Sequence, residues 1–160
     1  MEKWKIMRFI LSHHPPSQIS RTIRIKFLNK KVYLCARCSG ECLGIITVFM
    51  ILYFLKSLPL FLHASLIFFL PIPAIVDWTT QTMGYRESNN LLRLGTGMLF
   101  GGALVLFAYC ILLNRLTLFC LSSGFYFFYC LIPCFILKRS GKLDQYLEYL
   151  DKEAKGVSFQ

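Results

Sequence analysis

The stretch Cys35-Ala36-Arg37-Cys38-Ser39-Gly40-Glu41-Cys42-Leu43-Gly44 sets three thiols, a guanidinium and a carboxylate where a basic segment meets a long apolar run. Three chemistries fit that pattern. A zinc centre needs two thiolates about one turn apart and two further ligands to complete a tetrahedron. His13 and His14 lie upstream, Cys42 shares a helical face with Cys35 and Cys38, and Glu41 and Asp77 are further donors. Adjacent histidines rarely both reach one ion, so His14 is the expected third ligand, with Asp77, Cys42 or water fourth. A thiol oxidoreductase uses the same Cys-x-x-Cys spacing beside a cation, with Cys35 as nucleophile and Cys38 resolving. Cysteine is also a small apolar residue that packs well at helix starts. The residue types leave all three readings open. Cys110, Cys120, Cys130 and Cys134 are scattered through apolar runs and read as packing, and His63 reads as an interface residue.

A second concentration of polar chemistry runs from Asp77 to Arg93 and leads into Leu94-Gly95-Thr96-Gly97. A helix beginning there points free N–H groups and the positive end of its dipole at this segment, an arrangement that favours phosphate or carboxylate. Arg86 and Arg93 can grip such an anion bidentately, with Ser88, Asn89 and Arg37 as further donors. Asp77 is the expected general base or metal ligand. The plainer reading has Ser88 or Asn89 capping the helix, with the arginines snorkelling to lipid headgroups.

The elements that must position these groups follow from the composition. The chain of 160 residues is 56% hydrophobic with 15 Phe and a mean hydropathy of +0.54. Soluble domains sit near 45–50% apolar. Four apolar runs, 39–55, 58–76, 94–113 and 116–137, are each close to the roughly 17–25 residues needed to cross a bilayer core. The formal charge of +10 would suggest nucleic acid if the charges were clustered on a soluble face. Instead they follow the spans. Nine basic residues precede the first run, Arg86 and Arg93 lie between the second and third, and five follow the fourth, leaving Lys56 and Arg115 alone at the other end. This asymmetry puts both termini in the cytoplasm of a prokaryotic plasma membrane and makes nucleic acid a poor partner.

The fold class is therefore an all-α membrane protein of four transmembrane helices in two tight hairpins, turned at Lys56-Ser57 and Asn114-Arg115. Residues 1–38 form a cytoplasmic interfacial segment, 39–137 the transmembrane domain and 138–160 a cytoplasmic amphipathic tail. Trp4, Met7 and Leu11 share the face of an interfacial helix. Arg21-Thr22-Ile23-Arg24-Ile25-Lys26-Phe27 alternates at period two, and Leu28–Lys31 turns it into Val32-Tyr33-Leu34, which predicts a small β-hairpin. Leu143, Tyr146, Leu147, Leu150 and Ala154 recur at helical spacing and predict a C-terminal surface helix. Pro71 and Pro73 predict a kink or unwinding in the second span just before Asp77. Gly97-x-x-x-Gly101 gives the third span a small-residue face suited to close helix packing and to a homo-oligomer.

Taken together, Cys35-Ala36-Arg37-Cys38-x-Gly40-x-x-x-Gly44 and Pro73-x-x-x-Asp77, followed by Gln81, Gly84-x-Arg86-x-Ser88-Asn89, Arg93 and Thr96-Gly97, resemble a known family. It is the domain of unknown function 2085 family of small prokaryotic membrane proteins, and the resemblance covers His13 to Gly102. It implies that His14, Arg21, Cys35, Arg37, Cys38, Gly40, Asp77, Arg86, Ser88, Asn89 and Arg93 share one cytoplasmic face. It names no reaction. Three functions follow as expectations. The first is a zinc-binding protein that recognises an anionic lipid or phosphorylated metabolite; the others are a membrane thiol oxidoreductase and a non-catalytic assembly or transport subunit.

Overall fold

The computed structural model describes residues 20–27, 30–55 and 58–139, and beyond them residues 141, 144, 147, 148 and 151. Its elements in chain order are β1 (Thr22–Phe27), β2 (Lys30–Cys35), α1 (Ala36–Leu55), α2 (Leu60–Phe69), α3 (Ile72–Thr82), α4 (Asn90–Leu112) and α5 (Leu116–Arg139). Four helical stretches are long and apolar enough to cross a membrane: Ala36–Leu55, Leu60–Thr82 through both α2 and α3, Asn90–Leu112 and Leu116–Ile136. The protein is thus a four-span helical membrane protein with a two-stranded sheet at one end. The expected interfacial helix around Trp4, together with His13 and His14, lies outside the described residues, as does most of the C-terminal helix. Of that helix, Asp144, Leu147, Glu148 and Asp151 are helical and exposed.

The strands pair antiparallel, from Thr22 opposite Cys35 to Phe27 opposite Lys30. β2 runs without a break into α1, so Cys35 ends the hairpin and Arg37 and Cys38 occupy the first turn of the helix. At its open end the hairpin is tied to α4: Asn90 Nδ2 donates to the carbonyls of Ser20 and Thr22 at 2.9 and 3.2 Å. The end of the bundle carrying this sheet is called the hairpin end below.

The tightest helix pair is α1 against α4, built on glycines from both. A Cβ added at Gly40 or Gly44 would overlap the backbone of Leu94 or Met98 on α4. One added at Gly97 or Gly101 would overlap the backbone of Arg37 or Glu41 on α1. This is close small-residue packing of the kind membrane helices use, where dispersion and backbone approach replace the hydrophobic effect. It corrects one expectation: the Gly97/Gly101 face is buried inside a single chain against α1, so it offers nothing to a second copy.

The proline break falls where the sequence puts it. Pro71 caps α3 in place of a continuous helix. Without an N–H at Pro71, the carbonyl of Ile67 loses its helical donor, and the interruption also disturbs that of Phe68. Both are supplied from α5, by Tyr126 Oη to Ile67 O at 3.3 Å and Tyr129 Oη to Phe68 O at 2.8 Å. Beyond the break α3 carries on to Thr82 and ends in a Schellman turn: Gly84 sits at φ 73° and Tyr85 N–H donates to Thr80 O at 3.0 Å. The α4–α5 turn repeats the motif with Asn114 at φ 53°, a left-handed position that asparagine tolerates. That is why three residues, Leu113 to Arg115, suffice to reverse the chain there. α5 is the loosest of the spans, with Ser122 the single buried residue among those described.

Candidate functional site

At the hairpin end, the start of α1, the end of α3 and the start of α4 meet around Asp77. Its residue is 1% exposed, and both carboxylate oxygens are taken. Oδ2 accepts from Arg37 Nη2 at 2.5 Å and from Gln81 Nε2 at 2.8 Å, while Oδ1 accepts from Arg86 Nη2 at 3.1 Å. Arg37 can reach because it stands in the first turn of α1 beside Gly97, where no side chain intervenes. Gln81 is one turn beyond Asp77 on the same face of α3. Arg86 is carried back over α3 by the turn at Gly84, with its Nε donating to Thr80 Oγ1 at 3.3 Å.

Arg93 completes the cluster without joining this network. It lies in the first turn of α4 and is 5% exposed, within electrostatic reach of Arg21, Arg37, Asp77 and Cys35. Among the described residues it makes no ion pair. Four buried side-chain polar atoms have no hydrogen-bond partner among the described residues: Arg37 Nε, Thr79 Oγ1, Asn90 Oδ1 and Arg93 Nε. All four lie on the three helix ends that converge here. Buried donors are normally satisfied, and a buried guanidinium without a partner costs several kcal/mol. The charge around Asp77 is positive, since Arg37 and Arg86 pair with its one carboxylate and Arg93 lies within electrostatic reach of the same group. The arrangement can hold an anion, with Asp77 fixing two of the guanidiniums in place.

The other expected site residues divide. Asn89 caps α4, its Oδ1 accepting from Leu92 N–H at 2.7 Å, and Ser88 Oγ donates to Asn89 O at 3.3 Å. Both stand at the mouth of the cluster in local capping roles. Cys35 is buried beside Arg93, Cys38 is partly buried in hydrogen-bonding contact with Cys35, and Cys42 is exposed; all are free thiols. Among the described residues no group of three His, Cys, Asp or Glu side chains is placed to hold a metal ion. His13 and His14, the expected imidazole ligands, lie outside the described residues.

Two features escape a reading by residue type. Asn90, which locks the hairpin to α4, has no signal beyond its place in a helix start. His63 is the larger surprise. It is fully buried at the opposite end of the bundle, with Nε2 2.9 Å from Leu106 O and Nδ1 2.8 Å from Arg115 Nη1. Arg115 has only donors, so Nδ1 accepts and Nε2 carries the proton. Arg115 also donates to Leu58 O at 3.3 Å. His63 is therefore an internal clasp between α2, α4 and the start of α5, rather than an interface residue.

Comparison with known proteins agrees with this architecture. A family model described as "Predicted membrane protein (DUF2085)" matches residues 17–107, which takes in the hairpin, α1 to α3 and most of α4. An "Uncharacterized protein" of Methanothermobacter thermautotrophicus is 42% identical over 65 residues, 41% of this chain and 59% of the relative. "Uncharacterized protein MJ1492" of Methanocaldococcus jannaschii is 41% identical over 80 residues, 48% of this chain and 51% of the relative. The match thus spans between half and three-fifths of each relative's length. No solved structure matches. With a family model covering the hairpin and all three helices that build the arginine cluster, the chain belongs to the DUF2085 family of predicted membrane proteins.

Proposed function

We propose that this protein recognises a phosphate-bearing or similarly anionic ligand at the cytoplasmic face of the plasma membrane, through Arg37, Arg86 and Arg93. One observation carries the reading: the buried Arg93 guanidinium, unpaired among the described residues, beside a carboxylate already committed to two other arginines. An anion between Arg93 and Arg37 would satisfy the two orphaned Nε–H groups and offset the excess charge. Asp77 then serves as the organiser that aligns Arg37 and Arg86. The cytoplasmic orientation rests on the distribution of basic residues along the sequence, sixteen of the eighteen flanking the cluster-side ends of the apolar runs.

The direct test is calorimetric titration of the purified, detergent-solubilised protein with inorganic phosphate and glycerol phosphate at low salt. The wild type should bind, and Arg93→Met should bind roughly 10–100-fold more weakly, the worth of a charge-assisted contact. A wild type that binds neither anion, or an Arg93→Met protein that binds as well as wild type, would end this reading.

A second reading rests on the contact between the Cys35 and Cys38 thiols beside the cluster. In it the pair holds zinc with His14, or His13, as an imidazole ligand, and the metal adds a cation to the same site. Elemental analysis alongside a thiol count decides it. Stoichiometric zinc lost in Cys38→Ser supports a metal centre, whereas a trapped mixed disulfide on Cys35 supports thiol exchange instead.

A further inference from the structure

A groove of about 740 Å³ opens on the side of the bundle between α1, the α2–α3 break and α4. Its wall is almost wholly apolar, and its upper end is Asn89 and Thr96, which flank Arg93 in the first two turns of α4. On each of its three helices the groove begins within two turns of the arginine cluster. Pro73 lies one turn before Asp77 on α3, Thr96 one turn after Arg93 on α4, and Gly44 two turns after Arg37 on α1. Along α4 it extends from Asn89 to Gly102, about 20 Å at 1.5 Å per residue. One leaflet of the hydrocarbon core is about 15 Å thick. A second apolar groove, of about 530 Å³ between Phe49 and Leu112, lies toward the opposite end of α1 and α4, away from the arginine cluster.

We infer that the ligand of the arginine cluster is an anionic phospholipid, with its headgroup at Arg93 and Arg37 and an acyl chain lying in the groove below. The inference rests on the anion-binding reading and narrows it to one source. Three features commit the groove to a lipid chain. It is apolar along its length and opens sideways toward the bilayer. Its length matches a chain of one leaflet. Its headgroup end, at Asn89 and Thr96, lies within about one turn of Arg93, and positive charge there selects an anionic lipid over a zwitterionic one. The groove is lined on α4 by Gly95 and Gly102, which bring no side chain into it, and on its other side by Leu70 and Pro73, which flank the Pro71 break.

The test fills the groove without touching the arginines. A Cβ at Gly95 meets nothing within 4 Å, so Gly95→Phe adds a bulky side chain at the groove wall without its Cβ striking the neighbouring helices. Leu99→Trp, at a partly exposed groove residue, fills the same space by a different route. Wild type and both variants, purified in detergent, are equilibrated with dioleoyl phosphatidic acid, dioleoyl phosphatidylcholine and inorganic phosphate, and bound ligand is read by native mass spectrometry and calorimetry. The wild type should retain phosphatidic acid over phosphatidylcholine. Each folded groove variant should lose phosphatidic acid by at least about tenfold while binding inorganic phosphate as wild type does. Groove variants that hold phosphatidic acid at wild-type strength overturn the lipid assignment and leave a soluble anion as the ligand. A wild type that binds neither phosphatidic acid nor phosphate overturns the anion reading itself.

Discussion

At the residue scale, Asp77 is the group on which the hairpin end depends. It is buried and paired twice, with Arg37 partly buried at 21% side-chain exposure and Arg86 far more open at 45%. The two pairs should therefore differ in worth. Asp77→Asn strands the buried side of the cluster with no counter-charge and should cost about 3–5 kcal/mol. Arg86→Gln removes a solvent-screened partner and should cost about 0–1 kcal/mol. Denaturation midpoints of the detergent-solubilised variants check the ranking, and equal losses would mean that Arg86 is as desolvated as Arg37. The chemistry-bearing residue types were legible in the sequence here. Which arginine would be left over was not, because that depends on Asp77 turning toward Arg37, forty positions away, and not toward its nearer neighbour Arg93.

At the element scale, the α1–α4 contact and the proline break do the positioning. Gly97→Val would drive a Cβ into the Arg37 carbonyl and should separate α1 from α4, disrupting the site and the fold together. Gly95→Ala, two residues earlier with open space, should be neutral or stabilise α4 by up to about 1 kcal/mol through helix propensity. Thermal unfolding of the pair reads this difference, and similar losses at both positions would contradict the packing. Tyr129→Phe should cost about 1 kcal/mol by leaving the Phe68 carbonyl at the break without its donor. The break was readable from Pro71 and Pro73. The tyrosines that repair it were not, since on α5 they look like two more aromatics in an apolar run. The helix ends were misjudged for a related reason. Arg37 and Asp77 read as lying outside the spans, yet pairing and burial carry Arg37 into the first turn of α1 and Asp77 into the middle of α3, while Arg93 stands in the first turn of α4 behind its Asn89 cap.

At the scale of the whole molecule, the four spans and the short turn between α4 and α5 were written in the pattern of apolar runs. The distribution of basic residues along the sequence predicts an orientation that can be tested. A reporter fused after Gln160 should read as cytoplasmic, and the hairpin-end loop at Tyr85 and Glu87, both exposed, should be modified by reagent only when the cytoplasmic side is opened. The His63–Arg115 clasp lay beyond the reach of sequence, because its partners are 52 positions apart and each alone resembles an interface residue. His63→Ala would leave the Leu106 carbonyl and Arg115 without their partner and should loosen the far end of the bundle without altering anion binding.

The central claim is that Arg93 is kept buried and unpaired for an anion, and one pair of melting curves addresses it. Arg93→Met replaces a buried, unsatisfied charge with an apolar side chain of similar length, so without ligand the variant should be more stable than wild type, by about 1–4 kcal/mol. Phosphate at a hundred times the wild-type dissociation constant should stabilise wild type by about 2.7 kcal/mol and the variant, binding 10–100-fold more weakly, by only about 0.4–1.4 kcal/mol. An Arg93→Met protein that is less stable than wild type and gains as much stability from phosphate as wild type does would contradict the claim.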